Sequence, residues 1–98
     1  MPQFLIQYKV KPELVAEQEA AVRKFVDAVK AVGDPEAEYA SFRTDDVSFV
    51  HVARFASEEA VKRFQAHPHF EAFSKGIRER AAEGPNATKL TLVASTRD

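Results

Sequence analysis

Along this chain the spacing of apolar residues switches between a strand period and a helix period, and the order of the switches admits few folds. Phe4, Ile6, Tyr8 and Val10 alternate with Leu5, Gln7 and Lys9, which is the pattern of a strand. Lys11-Pro12-Glu13 ends it, and Pro12 suits a helical first turn, where a missing N–H costs nothing. From Leu14 onward Ala21, Val22, Phe25, Ala28, Val29 and Val32 recur at helical spacing. Gly33 then offers a C-cap, and Asp34-Pro35 blocks continuation. Ala37 to Thr44 and Val47 to Phe55 read as two strands around an Asp45-Asp46 turn. Ser57 opens a second helix as its N-cap, with Glu58 and Glu59 at the positive end and Val61 and Phe64 facing inward. Pro68 interrupts that pattern, which resumes at His69 with Phe70, Phe73, Ile77 and Ala81. Gly84-Pro85-Asn86 stops it, and Ala87 to Thr96 alternates as a last strand. The pattern predicts one continuous α+β domain over residues 1–98, with four antiparallel strands and its helices on one side of the sheet.

At 98 residues the domain is small and buries only part of its surface unaided. Its 14 basic and 15 acidic residues leave a net charge of −1 with no basic run. That balance argues against a nucleic-acid partner and against a polybasic membrane patch. No cysteine occurs, so disulfides, thiolate nucleophiles and thiolate metal sites are excluded together. No apolar run approaches the roughly 20 residues that span a bilayer, and Met1-Pro2-Gln3-Phe4 lacks a signal-peptide layout. The expectation is a soluble cytoplasmic protein.

The third strand breaks the rule that one face of such a sheet meets water. Val47, Phe49, His51, Ala53 and Phe55 lie on one side, while Val50 and Val52 make the centre of the other side apolar as well. Helices cover only one face. The valines are either tolerated surface residues, since valine favours strands, or covered by a second copy of the chain. The second option is preferred, because an open apolar patch invites aggregation, and it predicts a homodimer.

The order of elements, the Val50-to-Phe55 strand running into Ser57-Glu58-Glu59-Ala60, and the Phe64 and His67-Pro68-His69-Phe70 that follow resemble the antibiotic biosynthesis monooxygenase family. The resemblance implies a ferredoxin-like βαββαβ fold, dimerising into an α/β barrel with a ligand cavity between sheet and helices. Family members are similar to quinol or polyketide oxygenases that use no metal or flavin, to haem-degrading enzymes, and to an isomerase of a signalling molecule. In the haem-degrading subgroup a histidine stands four residues beyond the position of Phe70 and a tryptophan at that of Phe64. This chain has Ser74 at the first position and no tryptophan, which disfavours that reading. Many relatives carry a glutamate two positions after the His51 site, where Ala53 stands here.

Among titratable groups His51 is the leading catalytic candidate, on the strand face assigned to the cavity with Phe49, Ala53 and Phe55. A histidine there can take a proton from a bound phenol near neutral pH. Alternatively it is a core histidine satisfied by a backbone carbonyl, or an interface residue if the faces are reversed. His69 either reaches the cavity mouth as a second catalytic candidate or caps the helix starting there. His67 reads as solvated or as a C-terminal cap. Two histidines on either side of a proline do not present one face, and a metal site needs about three convergent ligands; no metal and no cofactor are expected. Tyr39 is placed in substrate binding, where its hydroxyl can donate to a carbonyl, or else in packing. Phe49, Phe64, Phe70 and Phe73 are assigned to an aromatic-friendly pocket as well as to the core. Arg43 is a further polar candidate, and Arg54 pairs with an acid across the dimer. The leading expectation is a cofactor-independent monooxygenase of a small electron-rich aromatic. An isomerase or tautomerase of a small oxo-compound and a non-catalytic binding barrel are the alternatives.

Overall fold

The computed structural model describes residues 1–97. Its elements are β1 (Gln3–Val10), a 3-10 turn (Pro12–Leu14), α1 (Val15–Val32), β2 (Ala37–Arg43), β3 (Ser48–Phe55), α2 (Glu58–Ala66), α3 (Pro68–Arg80) and β4 (Ala81–Leu90). The four strands form one antiparallel sheet in the order β2-β3-β1-β4, the ferredoxin-like arrangement. The central strands are β1 and β3, so the two most regular alternating segments of the sequence occupy the middle of the sheet. Among the described residues, no helix is long and apolar enough to cross a membrane.

Local chemistry sets most of the boundaries. Gly33 ends α1 with φ at 69°, a left-handed conformation that costs glycine nothing, and its N–H reaches the Val29 carbonyl. The Asp45 carboxylate accepts from the backbone N–H groups of Val47 and Ser48 and so closes the β2–β3 turn. Ser57 Oγ accepts from Ala60 N–H at 3.1 Å and starts α2. At the α2–α3 junction the cap is His67 rather than His69. Its N–H closes α2 on the Phe64 carbonyl, while its Nδ1 accepts from His69 N–H at 3.3 Å and opens α3, with Pro68 at the first helical position.

The last strand departs from expectation at both ends. The third helix stops at Arg80, and Ala81 is already extended and paired with Val10, so Ala81 does not continue the helical stripe. Gly84-Pro85, which reads as a stop, lies inside β4, where shifts of register absorb it. Gly84 sits at φ 82°, and a Cβ there would stand 2.9 Å from the Gln7 carbonyl oxygen, so the close backbone approach requires glycine. The strand ends at Leu90 because Leu90 pairs with Gln3, the first residue of β1; Thr91 to Thr96 have no strand to lie against.

Burial alternates along β3 without exception. Phe49, His51, Ala53 and Phe55 are buried beneath the helices, while Ser48, Val50, Val52 and Arg54 are half-buried on the other side. Cross-strand register sets Val52 between Leu5 and Ala40, and Val50 between Gln7 and Phe42. An apolar stripe therefore crosses the outer face, with Phe42 55% exposed. Arg54 lies at its edge with a buried Nε that no hydrogen-bond acceptor meets.

Candidate functional site

The space between sheet and helices divides into a filled end and a hollow end. In the filled end, Tyr8 on β1, Gln18 on α1 and His51 on β3 are buried polar residues in an otherwise apolar cluster. Burying them is costly unless each polar atom finds a partner. Arg80 Nε donates to Gln18 Oε1 at 2.6 Å, and Gln18 Nε2 donates to the Tyr8 hydroxyl at 2.7 Å. An arginine can only donate, so its contact fixes which end of the Gln18 amide faces Tyr8. The Tyr8 hydroxyl thus spends its one proton on His51 Nε2, 2.6 Å away. His51 then carries its proton on Nδ1 and donates to Ser41 Oγ, also at 2.6 Å. The line of polarised bonds runs from Arg80, near Glu17 at the surface, through to β2.

Desolvation by burial lowers the His51 pKa to about 4, so the imidazole is neutral at pH 7. Burial pushes the Tyr8 phenol well up, against the opposing pull of the Gln18 bond and the Arg80 charge. Burial raises Tyr39 as well, and Tyr8 adds to the effect.

The hollow end holds a cavity of about 290 Å³ between β1, β3, α2 and α3. Its walls are mainly aromatic and aliphatic, including Phe4, Ile6, Phe55, Phe64, Phe73 and Ile77, and its polar side chains are Tyr39, Gln65 and Ser74. Tyr39 stands on β2 with its ring stacked between His51, at 5.5 Å, and Phe64, at 5.7 Å. No hydrogen bond of its hydroxyl to a described residue is present. We call this space the sheet-side cavity. A second, more apolar space of about 240 Å³ lies against Ala28, Val29 and Val32 of α1 and reaches the α2–α3 junction. On the rim of this helix-side cavity Arg63 is ion-paired to Asp34 at 3.0 Å and Glu36 at 2.7 Å.

The sequence-assigned residues fall into separate places. Tyr39, Phe64, Phe70 and Phe73 meet around the sheet-side cavity. His51 does not line it; the rings of Tyr39 and Phe73 stand against the imidazole, with the Phe73 centroid 5.7 Å away. Phe49 stacks on Tyr8 in the filled end, 5.5 Å away, and lines neither of these two cavities. His69 lies on the rim of the helix-side cavity, its ring stacked on that of His67 at 4.9 Å. Arg43 is on the surface, bonded to Glu19 and to the Asp46 carbonyl. Among the described residues, no three His, Cys, Asp or Glu side chains converge.

Sequence reasoning missed Gln18, Ser41 and Arg80 as partners of His51, and Gln65 and Ser74 as polar points in the cavity. One of these carried a signal. Gln18 falls on the apolar stripe of α1, four residues from both Leu14 and Val22, and a polar residue there implies a buried partner.

A helix-covered antiparallel sheet with an aromatic cavity beside it defines a class of small α+β domains. A sequence model of the family described as antibiotic biosynthesis monooxygenase matches residues 4–76, and the chain belongs to that family. Solved structures carry the same fold. One titled antibiotic biosynthesis monooxygenase is 21% identical, with a TM-score of 0.81 over 96% of this chain and 100% of that one. Rv0793 from Mycobacterium tuberculosis is 16% identical, with a TM-score of 0.82 over 98% and 99%. SnoaB, a cofactor-independent oxygenase from Streptomyces nogalater, is 20% identical, with a TM-score of 0.76 over 99% and 97%. None of the curated proteins matches the sequence.

Proposed function

We propose that the chain is a cofactor-independent oxygenase of a small electron-rich aromatic alcohol, acting as a homodimer with one sheet-side cavity per subunit. The observation that carries this reading is the cavity itself, which has aromatic walls, few polar points and no carboxylate or histidine among its lining residues. Such a site asks the substrate to do the chemistry. The ionised substrate passes one electron to dioxygen, and the resulting radical and superoxide join through a new C–O bond. The peroxide then breaks its O–O bond, so that one oxygen stays as a carbonyl and the other leaves as water, taking the hydrogen of the oxidised carbon and the proton released when the substrate ionised. The protein contributes a dry pocket and a hydrogen bond from the Tyr39 hydroxyl to the substrate oxyanion.

His51 enters this proposal as a positioning residue for Tyr39 rather than as the proton acceptor. A phenol of pKa about 10 losing its proton to an imidazole near 4 faces a cost on the order of 8 kcal/mol. Both ring nitrogens are, moreover, already bonded. Ionisation by solvent at the cavity mouth costs about half as much at pH 7, roughly 4 kcal/mol. His69 is proposed to serve the α2–α3 junction. Dimerisation through the outer face would cover Phe42, Val50 and Val52 and offer the Arg54 Nε an acceptor.

A panel of hydroquinones and naphthols tests the reading by oxygen uptake in chelator-treated protein. The expected result is uptake with at least one member, lowered about a hundredfold by Tyr39→Phe. Turnover that persists without oxygen would identify an isomerase instead. Thermal stabilisation without product would identify a binding barrel, a second reading favoured by the absence of any acid or base on the cavity wall.

A further inference from the structure

The two apolar cavities have only Phe64 and Phe70 in common among the residues that line them. Those rings meet edge to face at 5.4 Å and form the wall between the two spaces. They are not equally held. Phe64 is enclosed by Phe25, Tyr39 and Phe55 as well as by Phe70. Phe70 is half-buried in the first turn of α3 and meets no aromatic ring other than Phe64. Volume gives the wall a consequence. An apolar cavity of about 150 Å³ accepts one benzene ring, so the sheet-side space of about 290 Å³ suits two fused rings and not three. Ligand sites usually span about 300–1,000 Å³; each cavity alone falls below that range, whereas the two joined fall inside it.

We infer that Phe70 is the partition that limits ligand size in this site, and that the helix-side cavity is a second compartment of the same binding space, closed to ligands of one or two rings and suited to an uncharged apolar group. The compartment suits an apolar group because its inner walls are Phe25, Ala28 and Val29; its polar groups stand at the rim, where Arg63 is already paired with Asp34 and Glu36 and the rings of His67 and His69 stack on each other. The inference rests on the proposed ligand reading for the identity of the occupant, but not for the existence of the partition.

The test compares binding of phenol, 2-naphthol and 2-anthrol by calorimetry. Wild-type protein is expected to bind 2-naphthol about tenfold more tightly than 2-anthrol, and Phe70→Ala to reverse that order. Adding Val29→Trp to Phe70→Ala refills the compartment and is expected to restore the wild-type order. A preference for 2-naphthol that Phe70→Ala leaves unchanged overturns the inference. A benzene titration followed by methyl NMR reads the partition independently of any substrate. In wild-type protein the shifts of Val29, beside the helix-side space, and Ile77, beside the sheet-side space, are expected to saturate separately; in Phe70→Ala they saturate together. A single shared saturation curve in wild-type protein overturns the partition, and that measurement decides the matter even where Phe70→Ala does not fold. If no aromatic alcohol binds, the ligand reading fails while the benzene result still stands or falls alone.

Discussion

The two ends of the interior are built from the same sheet and the same helices yet solve opposite problems. Around Tyr8 and His51 the layers enclose polar atoms and satisfy them, with hydrogen bonds of 2.6 and 2.7 Å running from Arg80 to Ser41. Around Phe55 and Phe64 they enclose rings and leave volume. His51, the histidine buried between the layers, thus belongs to the filled end, while His67 and His69 stand at the rim of the helix-side cavity. The lesson concerns how a site is recognised: a buried histidine on the expected strand face can belong to the hydrogen-bonded core, one ring's thickness away from the cavity.

The contrast breaks most visibly under substitution of the filled end. His51→Ala leaves the Tyr8 and Ser41 hydroxyls without their partner and opens a void, and should destabilise the fold by about 4 kcal/mol in urea unfolding. A loss below about 1 kcal/mol would mean that the polar line does little for stability. His51→Gln, which can accept and donate in a similar place, should recover part of that loss while holding oxygen uptake within about tenfold of wild type. A fall of about a thousandfold would return His51 to the role of base.

Acid unfolding probes the same group. The unfolded imidazole takes its proton near 6.5 and the folded one near 4, so the unfolded state binds more protons between those values. Stability is therefore fully present above pH 6.5 and is lost as pH falls through 4, by about 3 kcal/mol from this group. His51→Gln should flatten the slope in that window. An unchanged slope would mean that His51 does not set the acid sensitivity there; Glu19, Asp34 and Asp45, held below their ordinary range by hydrogen bonds, lose their contributions only at lower pH.

The hollow end should answer in the opposite way. Ser74→Ala and Gln65→Ala touch cavity-lining polar groups outside the buried network and should shift stability by no more than about 0.5 kcal/mol. Their effect should fall on ligand affinity instead, at about three- to tenfold each. A stability loss larger than the affinity loss would make these residues part of the packing.

What was legible in the sequence follows the range of the interactions involved. Gly33, Asp45 and Ser57 act on neighbours within four residues, and the alternation from Phe49 to Phe55 needs only the pleat, so turns, caps and faces could be read directly. The β4 boundaries could not, because Gly84-Pro85 reads as a stop until Gln7 lies across from it. His51 was seen facing the helices, but its partners stand 43 residues away at Tyr8 and on a neighbouring strand at Ser41, and no local pattern joins them. The cavity was least legible of all. A void is what Phe64, Phe70 and Phe73 fail to fill together, and that is a property of their packing rather than of any one of them.

Contacts between bound 2-naphthol and the protein, read as nuclear Overhauser effects, separate the two ends most directly. The account predicts contacts to the methyl groups of Ile6, Ala53 and Ile77, with the His51 and Tyr8 ring resonances free of ligand contacts. Ligand contacts to the rings of His51 and Tyr8, without those to Ile6 and Ile77, would contradict it.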